Sequence, residues 1–250
     1  MTARSLLKGR GKLVAEFFLI VIGVLVALAV ETALEDRRDN ELRDEYIDRI
    51  GRDMTADRDA LRHRVEFFGD VQVFVEQFHD WLDANEPLDK DMALAAFYSA
   101  EVWPFLPNQS TYRDLQNTGN IRLIDNIDLR TSLANYHNRA NSNQAGRSGW
   151  TPTEDYRRTI RGVIPGDIQD LIRNNCPTTS ALDGAPTGFP PCDLLGLDYE
   201  EIARLFEPLK TDAEFRRRLT YRHSELGVVI FLLQAQMDFA DDVLRHIDKQ

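Results

Sequence analysis

The chain has 250 residues, 43% of them hydrophobic and 28% charged, with a net charge of −11 and a pI near 5.0. This composition excludes collagen, low-complexity disorder and a disulfide-rich miniprotein, and the length suits one domain or two. The acidic balance argues against nucleic acid as a partner, and two cysteines exclude a four-cysteine zinc site.

Residues 1–12 carry Arg4, Lys8, Arg10 and Lys12 and no acid. The apolar segment LVAEFFLIVIGVLVALAVETAL follows at 13–34, uninterrupted from Phe17 to Val30. As a helix its 22 residues extend about 33 Å, enough to cross a hydrocarbon core of about 30 Å. Glu16 and Glu31 then lie near the two interfaces, where a carboxylate meets water. The expectation is a transmembrane helix over 13–34, in contact with a lipid bilayer. Two other readings exist: a cleaved signal peptide with an A-x-A site at Ala27-Leu28-Ala29, and a buried core helix. The apolar pattern continuing beyond Ala29 disfavours cleavage, and the uncharged block disfavours a core helix.

Four basic residues precede the span, and Arg37, Arg38, Arg43 and Arg49 follow it, so the positive-inside count is nearly balanced. Long domains translocate largely regardless of charge. The tail at 1–12 therefore has the better claim to the cytoplasm. At 100° per residue, Glu16, Ile20, Gly23, Ala27 and Leu34 share one face, within an arc of roughly 60°. Gly23-x-x-x-Ala27 is a small-xxx-small pair, which permits close approach of a second copy or a partner membrane helix. Gly and Ala are also common in spans that pair with nothing.

From Glu35 to about Asn85 the pattern is helical. Leu42, Tyr46, Ile50, Met54, Leu61, Val65, Phe68, Val75, Phe78 and Leu82 mark one buried stripe beside mixed charge. This predicts a stalk helix over 35–85 that leaves the membrane and becomes the first helix of a bundle, with Gly51 and Gly69 as candidate bends and Pro87 as its end. Next come a helix over 89–101 with Asp89 as N-cap, and another over 110–118 closed by Gly119 in a left-handed cap. A third begins at Asp125 or Asn126. After a break at 141–149, Thr151-Pro152-Thr153-Glu154 reads as a capping box. Pro165-Gly166 interrupts that helix, and Asp167 is placed as the cap of a last piece to about Asn174. Residues 175–197 form an irregular loop. Helices over about 198–209 and 212–248 complete an all-α, elongated bundle with almost no strand.

Cys176 and Cys192 bracket the irregular loop. Their position suggests a disulfide, worth about 3 kcal/mol by loop closure and implying an oxidising compartment; two unrelated thiols is the alternative. Glu76-x-x-His79 is half of a di-metal carboxylate motif, whose other ligands are missing, so His79 reads as a helix-surface residue. Arg216, Arg217, Arg218 and Arg222 form the densest basic cluster of the soluble part and read as a solvated helix face, with lipid headgroups or an acidic protein as alternatives. No G-x-S-x-G, H-E-x-x-H or phosphate-loop motif is present, so no catalytic residue, metal ligand or cofactor site is assigned.

The segment EFFLIVIGVLVALAVETALEDRR resembles the start of a family of uncharacterised bacterial single-pass membrane proteins. A second stretch, STYRDLQNTGNIRLIDNIDLRTSLANY at 110–136, is similar to that family's Tyr-x-x-Leu helix, small-Gly turn and Leu-Arg-x-x-Leu-x-x-Tyr pattern. Together they cover about a fifth of the chain. Ala15 stands where the family usually has glycine, and Ala29-Val30-Glu31 where polar or aromatic residues are common. The resemblance implies an inner-membrane anchor and a helical extracytoplasmic domain, and it transfers no catalytic residues; with the tail in the cytoplasm, that domain is expected in the periplasm. The resulting expectation is a membrane-tethered interaction or sensor module. A ligand-binding helical bundle and an enzyme with a scattered site are the alternatives.

Overall fold

The computed structural model describes residues 4–84, 86–142, 154–176, 179–180, 186–189, 192, 194 and 198–249. The fold is all-α. Helix α1 runs from Arg4 to Asp83 as one element of 80 residues, about 120 Å at 1.5 Å per residue. It starts inside the segment read as a tail, where no proline interrupts it, and it passes through Gly51 and Gly69 unbroken. Residues 16–34 are exposed throughout, with Leu19 at 74% and Leu25 at 60%. This apolar stretch is long enough to cross a membrane, and among the described residues nothing covers it. Thr32 satisfies its hydroxyl within the helix, donating to the Leu28 carbonyl at 2.9 Å.

Burial begins on α1 at Leu42 and follows the expected stripe. Eight of its ten positions are fully buried, with Leu42 and Val65 partly so. Phe67, Val71 and Trp81 join them and widen the stripe. The remaining helices are α2 (Lys90–Ser99), α3 (Ser110–Thr118), α4 (Ile127–Ser142), α5 (Glu154–Val163), α6 (Gly166–Asn175), α7 (Tyr199–Thr211) and α8 (Ala213–Ile247). A 3-10 turn spans Asn120–Leu123. In the cysteine-bracketed loop, β1 (Thr179–Ser180) pairs antiparallel with β2 (Pro186–Gly188).

Local chemistry accounts for most boundaries. Asp89 accepts from the Met92 N–H at 2.9 Å and opens α2. Asn126, rather than Asp125, caps α4 by accepting from Leu129 N at 3.1 Å. Asp198 and Asp212 each accept two backbone N–H groups at the starts of α7 and α8. Gly119 ends α3 with φ 75°, a conformation that disfavours any side chain. The expected Asp167 cap is corrected: Pro165 is the N-cap, Gly166 starts α6, and Asp167 lies in its first turn. Proline fixes its own φ, so the helix begins directly after it. The capping-box residues Thr151–Thr153 lie outside the described residues.

Helix α8 packs antiparallel to α1. Arg216 donates to the Leu82 carbonyl at 2.9 Å and pairs with Asp83. His223 Nε2 lies 3.0 Å from Glu76, Arg58 lies 3.7 Å from Asp241, and Ile247 reaches the base near Gly51. Two apolar clusters form along this pair. The distal one gathers Phe78, Trp81, Phe206 and Phe215 with α2, α5 and α7. The proximal one, nearer the exposed apolar stretch of α1, gathers Tyr46, Ile50, Leu133, Tyr136 and Val243 with α3 and α4. Phe78 is fully buried and stacks on Trp81. Phe78→Ala is expected to lower stability by about 3–5 kcal/mol in chemical denaturation, and a loss below about 1 kcal/mol would contradict this packing.

Candidate functional site

A cleft of about 280 Å³ opens where the end of α2, the connector at 101–109, α5 and α6 meet, beside Cys176. Its origin is the C-terminus of α2. The last carbonyls of a helix lack intrahelical partners and carry partial negative charge, so they attract cations. Arg222 of α8 donates from Nε to Ser99 O at 3.1 Å and from Nη2 to Glu101 O at 2.6 Å. Arg157 of α5 donates to Ala100 O at 2.6 Å. The Glu101 carboxylate then takes Arg161, and Arg157 at 3.4 Å. The Arg161 guanidinium lies 3.3 Å from the Phe97 ring centroid, a cation–π contact. Burial pulls both Arg161 and Arg222 down to about 10, so both stay protonated at neutral pH. Arg173 of α6, with Trp103 and Tyr98, completes the rim.

The disulfide segment forms one side of this region. The sulfurs of Cys176 and Cys192 are 2.02 Å apart. Tyr98 donates to Cys176 O at 3.2 Å, and Lys90 to Cys192 O at 3.3 Å. Gly188 adopts φ 147°, open to glycine, and the next residue, Phe189, packs against Phe67, Phe74 and Tyr98 with centroids 4.6–5.0 Å away.

A second polar group lies between the two apolar clusters. Asp57 accepts from Tyr136 OH at 2.5 Å and from Asn108 N at 3.0 Å. Gln236 donates to the Tyr136 carbonyl at 3.2 Å. Burial raises Asp57 to about 6, against the opposing hydrogen bonds from Tyr136 and Asn108. The neighbouring His137, stacked on Tyr112 at 4.2 Å, is lowered to about 4 by burial and then by Arg113.

Glu16, Gly23 and Ala27 lie on the exposed apolar part of α1, and no heavy atom comes within 4 Å of a Cβ built on Gly23. Glu76 and His79 line one small pocket with His223 but pair differently: Glu76 meets His223, whereas His79 Nδ1 lies 3.6 Å from Asp83. Among the described residues no group of three His, Cys, Asp or Glu side chains is arranged to hold a metal. The reading of the basic cluster as a solvated face is corrected for Arg222, which is 1% exposed. Its position lies on the inner face of α8, with Leu219, Leu226 and Val229, and the α2 carbonyls replace its water. Arg216 and Arg217 do make surface ion pairs. Glu101, Arg157 and Arg161 went unread in the sequence. The available signal was the i, i+4 pair Arg157/Arg161 on an otherwise amphipathic helix. A wider groove of about 1060 Å³ beside the proximal cluster is walled by helix-surface charges, including the pairs Arg43–Asp44 and Arg52–Asp48.

No family model, curated protein or solved structure matches the chain.

Asp57 and His137 give opposite pH dependences. The folded pKa of Asp57 is raised, so its contribution is fully present below pH 3.8 and is lost as pH rises through about 6. The folded pKa of His137 is depressed, so its contribution is present above 6.5 and lost as pH falls through about 4. Relative to the unaltered protein, Asp57→Asn is expected to make stability rise more steeply between pH 4 and 6, and His137→Gln to make it fall. Urea titrations across that window check both, and curves parallel to the unaltered protein's would refute the assignment.

Proposed function

We propose that the protein is a single-pass, membrane-anchored helical module of the bacterial cell envelope, with a cytoplasmic N-terminus and a periplasmic domain that senses a ligand or engages a partner. The observation that carries this reading is the continuity of α1. The same helix supplies the exposed apolar stretch at 16–34 and the buried stripe of the domain from Tyr46 to Leu82. An exposed apolar surface of this size needs a covering medium, and a bilayer suits its length and uniformity. The disulfide favours an oxidising compartment for the domain. The resemblance of the span to bacterial inner-membrane proteins points the same way. No catalytic activity is part of this reading.

A rigid helix entering the core couples any rearrangement of the bundle to the span. The face of Glu16, Gly23 and Ala27 is the surface through which a second copy or a partner membrane protein receives it. The alternative, a bundle whose main task is to hold a small ligand, is favoured by the arginine-lined cleft.

Thiol labelling of intact cells and membranes with a maleimide polymer tests the topology. Cys176 and Cys192 are expected to react only after reduction. Free thiols without reductant would remove the support for a periplasmic domain. Gly23→Leu is expected to weaken cross-linkable association in membranes, and unchanged cross-linking would sink the packing face.

A further inference from the structure

The cleft at the end of α2 is lined by more guanidinium groups than carboxylates. Three arginines, Arg157, Arg161 and Arg173, share it with one carboxylate, Glu101. Glu101 is committed to Arg161 and Arg157. Among the described residues both hydrogen bonds of Arg157 leave from Nη1, which leaves Nε and Nη2 for a ligand. Its side chain is 33% exposed, partly withdrawn from water yet reachable. Arg173 is 53% exposed, and its bonds go to Asp170 and Gln169 on its own helix. Such surface pairs are worth about 0–1 kcal/mol and yield readily to a better acceptor.

The walls are aromatic. Phe97, Tyr98 and Trp103 line the cleft, with the Arg161 and Arg173 guanidinium groups over the Phe97 ring. A guanidinium fork matches a carboxylate in two parallel hydrogen bonds, and flat rings match a ring. At about 280 Å³ the space is at the lower end of small-molecule sites, which begin near about 300 Å³. That size suits a single-ring acid and is too small for a nucleotide.

We propose that this cleft binds a small aromatic carboxylate, with the carboxylate held by Arg157 and Arg173 and the ring against Phe97, Tyr98 and Trp103. Arg161 is a positioning residue: stacked on Phe97 and bound to Glu101, it holds the acid away from the open donors of Arg157. The inference goes beyond the membrane-anchored reading and does not depend on which side of the membrane the domain occupies.

The test is isothermal titration of the full chain in detergent micelles with benzoate and phenylacetate, against acetate, benzyl alcohol and inorganic phosphate. One of the two aromatic acids is expected to saturate a single site, with acetate and benzyl alcohol at least about tenfold weaker, the loss that removing the ring or the charge entails. Arg157→Gln and Arg173→Gln, both on partly exposed side chains, are each expected to weaken binding about tenfold. Arg217→Gln, which pairs with Glu214 away from the cleft, is expected to leave it unchanged. No saturable heat with either aromatic acid would overturn the proposal. So would tighter binding of phosphate, or binding indifferent to both cleft substitutions, which marks partition into the micelle.

Discussion

The antiparallel contact of α1 with α8 is the interaction to which the other helices are referred. Each supplies a long apolar stripe, and the two stripes close against each other from Leu82 beside Arg216 down to Gly51 beside Ile247. A pair of helices alone leaves much of each stripe wet. The domain therefore adds α2, α5 and α7 at the distal end and α3 and α4 at the proximal end, giving two clusters instead of one continuous core. Because α1 is also the apolar helix at 16–34, whatever fixes the domain core also orients that apolar stretch.

Buried polar groups set the register of this arrangement. Asp57 sits at the junction of the two clusters and holds the connector through Asn108 and α4 through Tyr136. Arg64 holds the same connector through the Pro104 carbonyl at 3.2 Å. Arg222 does the equivalent for the end of α2. Sliding α8 or α4 by one turn would leave these groups buried without partners, at a cost of about 1–3 kcal/mol each and more for a charge. Apolar stripes tolerate such slips far better, so the polar contacts discriminate between alignments that hydrophobic burial leaves close in energy.

The arginine cleft and the disulfide segment are two results of one local problem, the exposed C-terminus of α2. Guanidinium groups from α5 and α8 satisfy its carbonyls, and Tyr98, on the same turn, reaches the Cys176 carbonyl. The ribbon is held by the covalent link and by Phe189 among the rings of α1 and α2. A cationic, aromatic-walled cleft beside a cross-linked loop follows from these contacts.

The sequence by itself determined the helical class, the exposed apolar segment, the stripe on α1, the starts of α2, α3, α7 and α8, and the end of α3. All of these rest on interactions within a few residues: three-four periodicity, an aspartate accepting the first N–H groups, a glycine at positive φ. It also marked Cys176 and Cys192, because a proline- and glycine-rich loop stands out against helices. Asp167 misled because Pro165 competes for the same boundary and acts earlier. What only the tertiary structure decided is which charges leave the water. Arg217 and Arg222 look alike in a run of basic residues, yet one pairs with Glu214 in solvent and the other is buried beneath α2. Glu101, Arg157 and Arg161 come together across some 60 residues of chain. Charge carries no periodicity of its own, and its desolvation depends on long-range neighbours, so the cleft existed only once the helices had packed.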